Sequence, residues 1–177
     1  MRVIAGEFRS RVLKPVPGYD VRPTPDRLRE TLFNILQTRI EGLTFLDAYA
    51  GTGAVGIEAV SRGAAKAILI EKSKPAIEVI QENVRGLGIQ ARVEVLRGSV
   101  QLLLPRHPAD LVFLDPPYPL TAEYETALRI LGAAPPSLVV VQHASKHQLE
   151  ERYGRLNRIR VVKQGDNSLS FYEPEQA

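Results

Sequence analysis

From residue 43 onward, short apolar runs alternate with segments of helical periodicity, and no other feature constrains the fold as strongly. Predicted strands cover residues 43–47, 67–71, 92–96, 111–114 and 138–142, and predicted helices cover residues 54–62, 75–87, 100–104 and 122–131. Strands separated by helices form a parallel sheet with right-handed crossovers. Two further strand-like runs, at residues 156–162 and 168–172, are joined by a short turn segment and predict a β-hairpin.

The chain is therefore predicted to be an α/β protein. Its sheet is expected to be mostly parallel, with helices on both faces and an antiparallel hairpin at the C-terminal end. The first residues alternate only weakly and predict a small β arm, followed by a loop rich in proline and glycine. Thr24 as N-cap and Pro25 at the first helical position then predict a helix that ends near Ile40. We divide the chain into a basic arm, residues 1–23, and a main domain, residues 24–177.

Composition narrows the functional classes. The chain contains no cysteine, which excludes disulfides and thiolate metal sites and favours a cytoplasmic location. No apolar run is long enough to span a bilayer, so we expect no membrane partner. The histidines His107, His143 and His147 lack metal-ligand spacing, so we expect no metal. Residues 1–29 hold seven basic and three acidic residues, and residues 146–163 hold six basic and two acidic residues. Two basic segments around a more acidic middle indicate a polyanionic partner, although solvated surface is the alternative for either segment alone.

The motif Asp115-Pro116-Pro117-Tyr118 ends the predicted strand at residues 111–114 abruptly, because proline cannot donate to a sheet ladder. Ligands of open α/β sheets bind at the carboxyl ends of strands. An acceptor on Asp115 and a carbonyl of the Pro-Pro backbone can hold both hydrogens of an exocyclic amine, while Tyr118 stacks on the flat base. This pattern is typical of chemistry on a nucleobase amine, and a simple turn is the alternative interpretation.

A glycine loop follows the first predicted strand. Gly51-Thr52-Gly53-Ala54-Val55-Gly56 matches G-x-G-x-x-G, and Glu71 lies 20 residues after Gly51 at the end of the second strand. The glycines allow close backbone approach, and the acid suits ribose hydroxyls, so the site is predicted to bind an adenosine-containing ligand.

Charge distinguishes between the candidate ligands of this loop. Asp47 ends the first strand and would repel the pyrophosphate of a dinucleotide, whereas S-adenosylmethionine carries a sulfonium and an ammonium. We therefore favour S-adenosylmethionine over NAD(P), with a turn or capping role for Asp47 as the alternative. Ser99, after the third strand, is a candidate for the adenine edge, but it is equally suited to cap the next helix.

With these pieces in place, the chain resembles the class I methyltransferases, whose seven-stranded sheet carries an antiparallel end hairpin. Within that class it is similar to the small bacterial enzymes of the RsmD type, which methylate the exocyclic N2 of a guanine in 16S ribosomal RNA. The motifs that carry the resemblance run almost from end to end, at residues 6–13, 22–36, 47–53, 114–118 and 169–173.

The resemblance implies a role for each motif. Asp47, Gly51 and Gly53 would line the methionine end of the cofactor, and Glu71 would hold its ribose. The motif Asp115-Pro116-Pro117-Tyr118 would hold the target guanine. The sequence departs from the family at three positions: Ser10 stands where glycine is frequent, Ser99 where an aspartate often reaches adenine, and Tyr118 where phenylalanine is common.

The leading hypothesis is therefore an enzyme that transfers methyl from S-adenosylmethionine to guanine N2 in 16S ribosomal RNA. Its partner would be that RNA, the small ribosomal subunit or an assembly intermediate, with phosphate contacts from the basic ends. The candidate RNA-binding residues are Arg9, Arg11, Arg22, Thr24 and Arg27. Three alternatives stay open: an amino-methyltransferase of DNA adenine or cytosine, a non-catalytic RNA-binding protein of the same fold, and an NAD(P) oxidoreductase.

Overall fold

The computed structural model describes residues 1–18, 26–117 and 119–176. In the described part of the chain, eight strands form one sheet in the order β3-β2-β1-β4-β5-β8-β7-β6. The strands are β1 (Thr44–Asp47), β2 (Lys66–Glu71), β3 (Val93–Arg97), β4 (Leu111–Leu114), β5 (Leu138–Ala144), β6 (Arg152–Tyr153), β7 (Leu156–Gln164) and β8 (Asn167–Pro174). The first five strands pair in parallel, and the pairings β5–β8, β8–β7 and β7–β6 are antiparallel, which confirms the predicted architecture.

One detail of the prediction is wrong, because the sheet has eight strands where seven were expected. The additional strand, β6, consists of Arg152 and Tyr153 and pairs with the start of β7. Two residues are too few to produce a recognisable alternation of apolar and polar positions, so no sequence pattern marks this strand.

Five helices cover the two faces of the sheet within the described residues. They are α1 (Asp26–Leu36), α2 (Ala54–Ser61), α3 (Lys74–Leu87), α4 (Val100–Leu103) and α5 (Thr121–Ala133). Pro75 in the first turn and the Ser73 side chain, which accepts a hydrogen bond from the Ala76 N–H, fix the start of α3. The first helix ends at Leu36 rather than near Ile40, and its predicted start at Thr24 lies outside the described residues.

The core lies in two layers, one on each face of the sheet. Helices α1, α2 and α3 cover one face, where Phe45, Phe113 and Val140 pack with the apolar side of α1. Helices α4 and α5 cover the other face and bury the alternate residues of the same strands. Because buried parallel strands are apolar on both faces, they appear in the sequence as continuous apolar runs. No helix in the part of the chain that the structure describes is long and apolar enough to cross a membrane.

The N-terminal arm packs on α2 and α3, where Val3 and Leu13 share a core cluster with residues of both helices. An isolated bridge between Arg2 and Val12 is its β structure. Ser10 adopts a positive φ of 70°, which is the conformation that glycine tolerates best and which fits the family's frequent glycine there. The domain boundary between residues 23 and 24 falls between described segments and stays a prediction.

Candidate functional site

Three carboxylates lie at the carboxyl edge of the central strands. Asp47 is the last residue of β1, Glu71 is the last residue of β2, and Asp115 follows β4 directly. These three strands are neighbours in the sheet, and Asp47 is paired in register with Leu69 of β2 and Phe113 of β4. The structure therefore brings together the acids that the sequence places at separate strand ends, at the edge where open α/β sheets bind ligands.

Asp47 is almost completely buried, at 1% exposure, and its Oδ1 accepts a hydrogen bond of 3.2 Å from the Tyr49 N–H. The pKa of Asp47 is raised to about 8, chiefly by burial; the Tyr49 hydrogen bond lowers it in part, and the negative charges of Asp115 and Glu71 add to the rise. A buried carboxylate with two further acids nearby favours a cation and disfavours a pyrophosphate.

Glu71 links the glycine loop to the end of β2. Its Oε2 accepts a 2.9 Å hydrogen bond from the Gly51 N–H, and its Oε1 accepts bonds of 3.1 Å from the N–H groups of Lys72 and Ser73. A carboxylate has about four acceptor positions, so roughly one remains for a ligand hydroxyl. This geometry is compatible with the ribose contact expected for Glu71.

The glycines of the loop have different structural roles. Gly51 and Gly53 adopt positive φ angles of 57° and 84°, and Gly53 is the N-cap of α2. At Gly56, by contrast, a Cβ atom would collide with the Leu69 side chain of β2. The first two glycines therefore shape the loop, and the third lets α2 pack closely on the sheet.

Ser99 caps a helix. It is exposed, and its hydroxyl accepts a hydrogen bond of 3.4 Å from the Leu102 N–H at the start of α4. The capping role is therefore present in the structure. Ser99 follows β3 and is next to Gly98, whose N–H donates to the Glu71 carbonyl. A contact between Ser99 and adenine stays a proposal.

The Asp-Pro-Pro segment projects from the end of β4. Asp115 is half-buried, Pro116 is buried and Pro117 is exposed, and the Pro117 carbonyl accepts a 2.9 Å hydrogen bond from the Leu120 N–H. That bond closes a turn before α5, so the Pro116 carbonyl is the better candidate to receive an amine hydrogen. The fourth predicted residue of the motif, Tyr118, lies outside the described residues.

The predicted RNA-binding residues that the structure describes, Arg9, Arg11 and Arg27, lie at two edges of the sheet. The Arg11 guanidinium donates to the carbonyl of Gly86 near the end of α3, and the backbone N–H of Glu7 donates to the carbonyl of Ser61 at the end of α2. These helices run away from the carboxylate edge, so the turn that carries Arg9 and Arg11 lies at the opposite edge. Arg22 and Thr24 lie outside the described residues.

Arg27 lies on the side of the carboxylates. It is exposed in the first turn of α1, and Thr31, one turn later, donates a 3.1 Å hydrogen bond to the side chain of Gln164. Gln164 ends β7, which runs in the same direction as β4 and β5. Arg27 is therefore the described candidate that lies closest to the predicted reaction site.

A cleft of about 1030 Å³ lies beside the Asp-Pro-Pro segment, and no sequence pattern predicts it. Its walls are the start of α5, the loop after β5 and the turn between β7 and β8, and its lining includes Pro119, Lys146, His147 and Lys163. The available signal was the basic segment at residues 146–163, but a charge count alone does not show which side chains share a cavity.

Comparisons with known proteins identify the family of the chain. Residues 1–173 match the family model described as "Conserved hypothetical protein 95". The Bacillus subtilis protein YlbH, named provisionally as an rRNA methyltransferase, is 31% identical over 98% of both chains. The Escherichia coli ribosomal RNA small subunit methyltransferase D is 42% identical over 67% of this chain and 60% of its own length, so the alignment spans less than two thirds of that relative.

A solved structure extends the likeness to the whole fold. The Thermus thermophilus hypothetical protein TTHA0928 superposes with a TM-score of 0.83 at 33% identity, covering 98% of this chain and 99% of that one. The full-length match of the family model and the relative from Bacillus subtilis show the family. The chain therefore belongs to the family described as conserved hypothetical protein 95, which is the methyltransferase family of the RsmD type that its sequence motifs predict.

Proposed function

We propose that this protein transfers a methyl group from S-adenosylmethionine to the exocyclic N2 of a guanine in 16S ribosomal RNA. The observation that carries the proposal is the convergence of Asp47, Glu71 and Asp115 at one sheet edge, beside the Asp-Pro-Pro segment. The name of the Escherichia coli relative supports the small-subunit RNA as the substrate class. Such an enzyme would act in the cytoplasm, on the RNA, the small subunit or an assembly intermediate.

The residues at the edge fit the cofactor by charge. When bound, S-adenosylmethionine would supply a methyl group on a sulfonium sulfur, which would leave as a neutral thioether, while the methylated nitrogen would lose one proton to water. Asp47 would hold the positively charged methionine end above Gly51 and Gly53, because it is a buried acid without a cationic partner among the described residues. Glu71 would accept from the ribose with its remaining acceptor position, and Ser99 would lie near the adenine.

Asp115 would act on the target amine. Its carboxylate and a Pro-Pro carbonyl would accept hydrogen bonds from the two hydrogens of guanine N2, which directs the nitrogen lone pair away from them. The carboxylate would also offset the positive charge that develops on the nitrogen. Because an exocyclic amine is inaccessible in a stacked duplex, the guanine must first be unstacked, and Tyr118 would stack on it.

The test combines methyl transfer and cofactor binding. Purified protein is incubated with labelled S-adenosylmethionine and unmethylated 16S RNA, small subunits or DNA, and the modified base is mapped. We expect label on guanine N2 of the RNA, and we expect Asp115→Ala to abolish transfer while calorimetry still shows cofactor binding. Asp110→Asn is the matched control, because Asp110 is an exposed aspartate at the opposite end of β4.

Three results would contradict the proposal. Label on DNA but not on RNA would favour the alternative amino-methyltransferase. Binding of NAD in place of S-adenosylmethionine would overturn the assignment of the cofactor. Near-normal transfer by Asp115→Ala would remove Asp115 from the reaction, even if the substrate proved correct.

A further inference from the structure

The cleft beside the Asp-Pro-Pro segment is a candidate for a binding site distinct from the cofactor site, because it adjoins the proposed guanine site and its lining carries two lysines. It begins at Pro119 and Thr121, directly after the motif, and extends to the loop after β5 and to Lys163. Its volume of about 1030 Å³ lies just above the usual range for sites that hold a drug-sized ligand, about 300–1,000 Å³. The cleft therefore has room for more than one nucleotide.

Two cations line this cleft without an acidic partner. Lys146 and Lys163 are both exposed, and neither forms an ion pair with any of residues 1–18, 26–117 or 119–176. Asp166 is the one acid among the described lining residues, so the charge of the lining is positive on balance. Free ammonium groups on a concave surface favour phosphate.

The walls of the cleft are held together by hydrogen bonds. Ser145 donates its N–H to the Asp166 carbonyl at 2.7 Å, and its hydroxyl lies 3.2 Å from the Gly165 carbonyl and 2.9 Å from the Ser168 hydroxyl. The loop after β5 is thereby fixed to the turn between β7 and β8. The two lysines extend from walls that are already in place, which lowers the cost of ordering them on binding.

We propose that this cleft holds the RNA strand that adjoins the target guanine, with Lys146 and Lys163 binding its phosphates. The proposal rests on the proposed function, because it takes the guanine to lie at Asp115. An unstacked guanine stays attached to its strand, and that strand must leave the reaction site along the surface. The cleft provides such a path, since Pro119 lies only four residues after Asp115.

The salt dependence of RNA binding tests the cleft directly. Unmethylated 16S RNA is titrated with wild type, with the double variant Lys146→Ala/Lys163→Ala and with Arg106→Ala at several salt concentrations. On a single strand, the logarithm of the binding constant falls with the logarithm of the salt concentration by roughly 0.7 for each phosphate contact. The double variant loses two contacts, so its slope should be shallower than that of wild type by about 1.4. Its KM for RNA should rise, whereas its kcat and cofactor affinity should match wild type. Arg106 is a suitable control because it is an exposed cation before the start of β4, at the opposite edge.

Every outcome distinguishes the two proposals. If wild type methylates RNA and the double variant has the slope of Arg106→Ala, the cleft does not bind RNA phosphate and the inference is wrong. If the double variant loses affinity for assembled subunits but not for naked RNA, the cleft binds a ribosomal protein, which also overturns it. Transfer to RNA is measured separately, so a wild type that methylates no RNA contradicts the proposed function while the slope still reports on the cleft.

A second, independent observation concerns Gln142. Its side chain is 3% exposed, and among the described residues its carboxamide oxygen has no hydrogen-bond partner. In the sheet, Val141 is paired with Leu114, so Gln142 lies one position beyond, beside Asp115. Val140 and Phe113 face α1, and side chains alternate between the two faces of a strand. Gln142 and Asp115, which lie two positions further along β5 and β4, are therefore on that same face.

We infer that Gln142 accepts a hydrogen bond from the N1–H of the target guanine while Asp115 holds the adjacent N2 amine. This inference also rests on the proposed function. An unpaired buried acceptor is unfavourable in the free protein and becomes favourable when a ligand supplies the donor. Adenine N1 and cytosine N3 carry no hydrogen, so the same contact would select guanine over the other bases that bear an exocyclic amine.

Gln142→Met and Gln142→Leu test this inference, because both remove the amide; methionine keeps the length of the side chain, and leucine is one atom shorter. We expect melting temperatures equal to or above that of wild type, unchanged cofactor affinity and at least tenfold lower kcat/KM for 16S RNA. Unchanged kcat/KM would overturn the inference. A loss of activity that accompanies lower melting temperatures in both variants would also overturn it, because the glutamine would then have a structural role.

Discussion

Glu71 accepts a hydrogen bond of 2.9 Å from the Gly51 N–H and so connects the end of β2 to the glycine loop after β1. The same carboxylate accepts from Lys72 and Ser73, which fixes the turn that leads into α3. One side chain therefore holds two segments of the proposed cofactor site in place before any ligand is bound. The expected contact with ribose would add to an arrangement that already exists.

Glu71→Gln should lower both the stability of the fold and the affinity for the cofactor. In wild type both carboxylate oxygens accept from backbone N–H groups, whereas in the variant an amide nitrogen, which cannot accept, would replace one of them. We expect a loss of about 1–3 kcal/mol in the free energy of unfolding. Affinity for S-adenosylmethionine should fall at least tenfold in calorimetry. Glu78→Gln, an exposed glutamate of α3, is the control and should change neither quantity. Wild-type affinity in Glu71→Gln would show that the carboxylate does not serve the ligand.

The raised pKa of Asp47 makes the free energy of unfolding depend on pH. Its pKa is about 8 in the folded chain and near 3.8 when unfolded, so folding takes up a proton between these values. The free energy of unfolding should therefore fall as the pH rises from about 4 to 8 and change little from this group above 8. Asp47→Asn should lack this decline and should be more stable than wild type at pH 9, by on the order of a few kcal/mol. Denaturant titrations at pH 5, 7 and 9 measure the difference.

The raised pKa of Asp47 should also make the affinity for the cofactor depend on pH. A cationic ligand favours the ionised form of Asp47, so its binding should release a proton below pH 8. Affinity for S-adenosylmethionine should weaken by about tenfold for each pH unit below 8 and should be measured between pH 5.5 and 7.5. Asp47→Asn should bind weakly with a flat profile. A flat profile in wild type would mean that Asp47 does not contact the positive end of the cofactor.

The sequence predicts much of this arrangement because its signals are local. The parallel sheet follows from the alternation of strands and helices, and Asp47, Glu71 and Asp115 are recognisable as acids at the ends of apolar runs. Parallel pairing then brings such ends to one edge, so local patterns suffice to predict the shared site.

The features that the sequence does not reveal depend on contacts between distant segments. Glu58 anchors the arm by bonding to residues 4 and 5, and the cleft brings Lys163 together with Pro119. The carboxamide oxygen of Gln142 is buried by segments distant in sequence and has no hydrogen-bond partner among the described residues. Glu58 appears in the sequence as one polar residue of an apolar helix, without a sign of its partners. Periodicity reports which face is buried and does not identify what covers it.

Ser10 carries backbone strain that a single substitution can remove. Its φ of 70° is costly for a side chain with a Cβ atom, and its N–H and carbonyl already bond to Val3 and Arg2. Ser10→Gly should raise the free energy of unfolding by roughly 1 kcal/mol, as measured by denaturant titration. Ser10→Ala keeps the Cβ atom and should leave stability nearly unchanged. A destabilised Ser10→Gly would show that the conformation is not strained.

Gly56 and Gly86 offer a matched pair of helical glycines. A Cβ at Gly56 would collide with Leu69, whereas nothing lies within 4 Å of a Cβ at Gly86. Gly56→Ala should therefore destabilise the fold by about 1–3 kcal/mol, as overpacking does, and displace the end of the glycine loop, where α2 begins. Gly86→Ala should stabilise it by roughly 0.4–1 kcal/mol, because alanine is the better helix former. Equal effects of the two changes in thermal unfolding would contradict the packing role of Gly56.

Glu58 is predicted to hold the arm on the main domain. It is fully buried on α2 and accepts hydrogen bonds from the N–H groups of Ile4 and Ala5, at 2.8 and 3.0 Å, and from the Arg62 guanidinium at 2.9 Å. Glu58→Ala would leave Arg62 and two backbone donors without this acceptor, which should cost roughly 3–5 kcal/mol in the free energy of unfolding.

Limited proteolysis and hydrogen exchange separate release of the arm from global unfolding. In Glu58→Ala, the amides of residues 1–16 should exchange faster and the chain should be cut there first, while the amides of β1 and β4 stay protected. Glu30→Ala, an exposed glutamate of α1, is the control. Uniform loss of protection across the sheet would show that Glu58 supports the whole core. Wild-type protection of residues 1–16 would show that the apolar contacts of Val3 and Leu13 suffice to hold the arm.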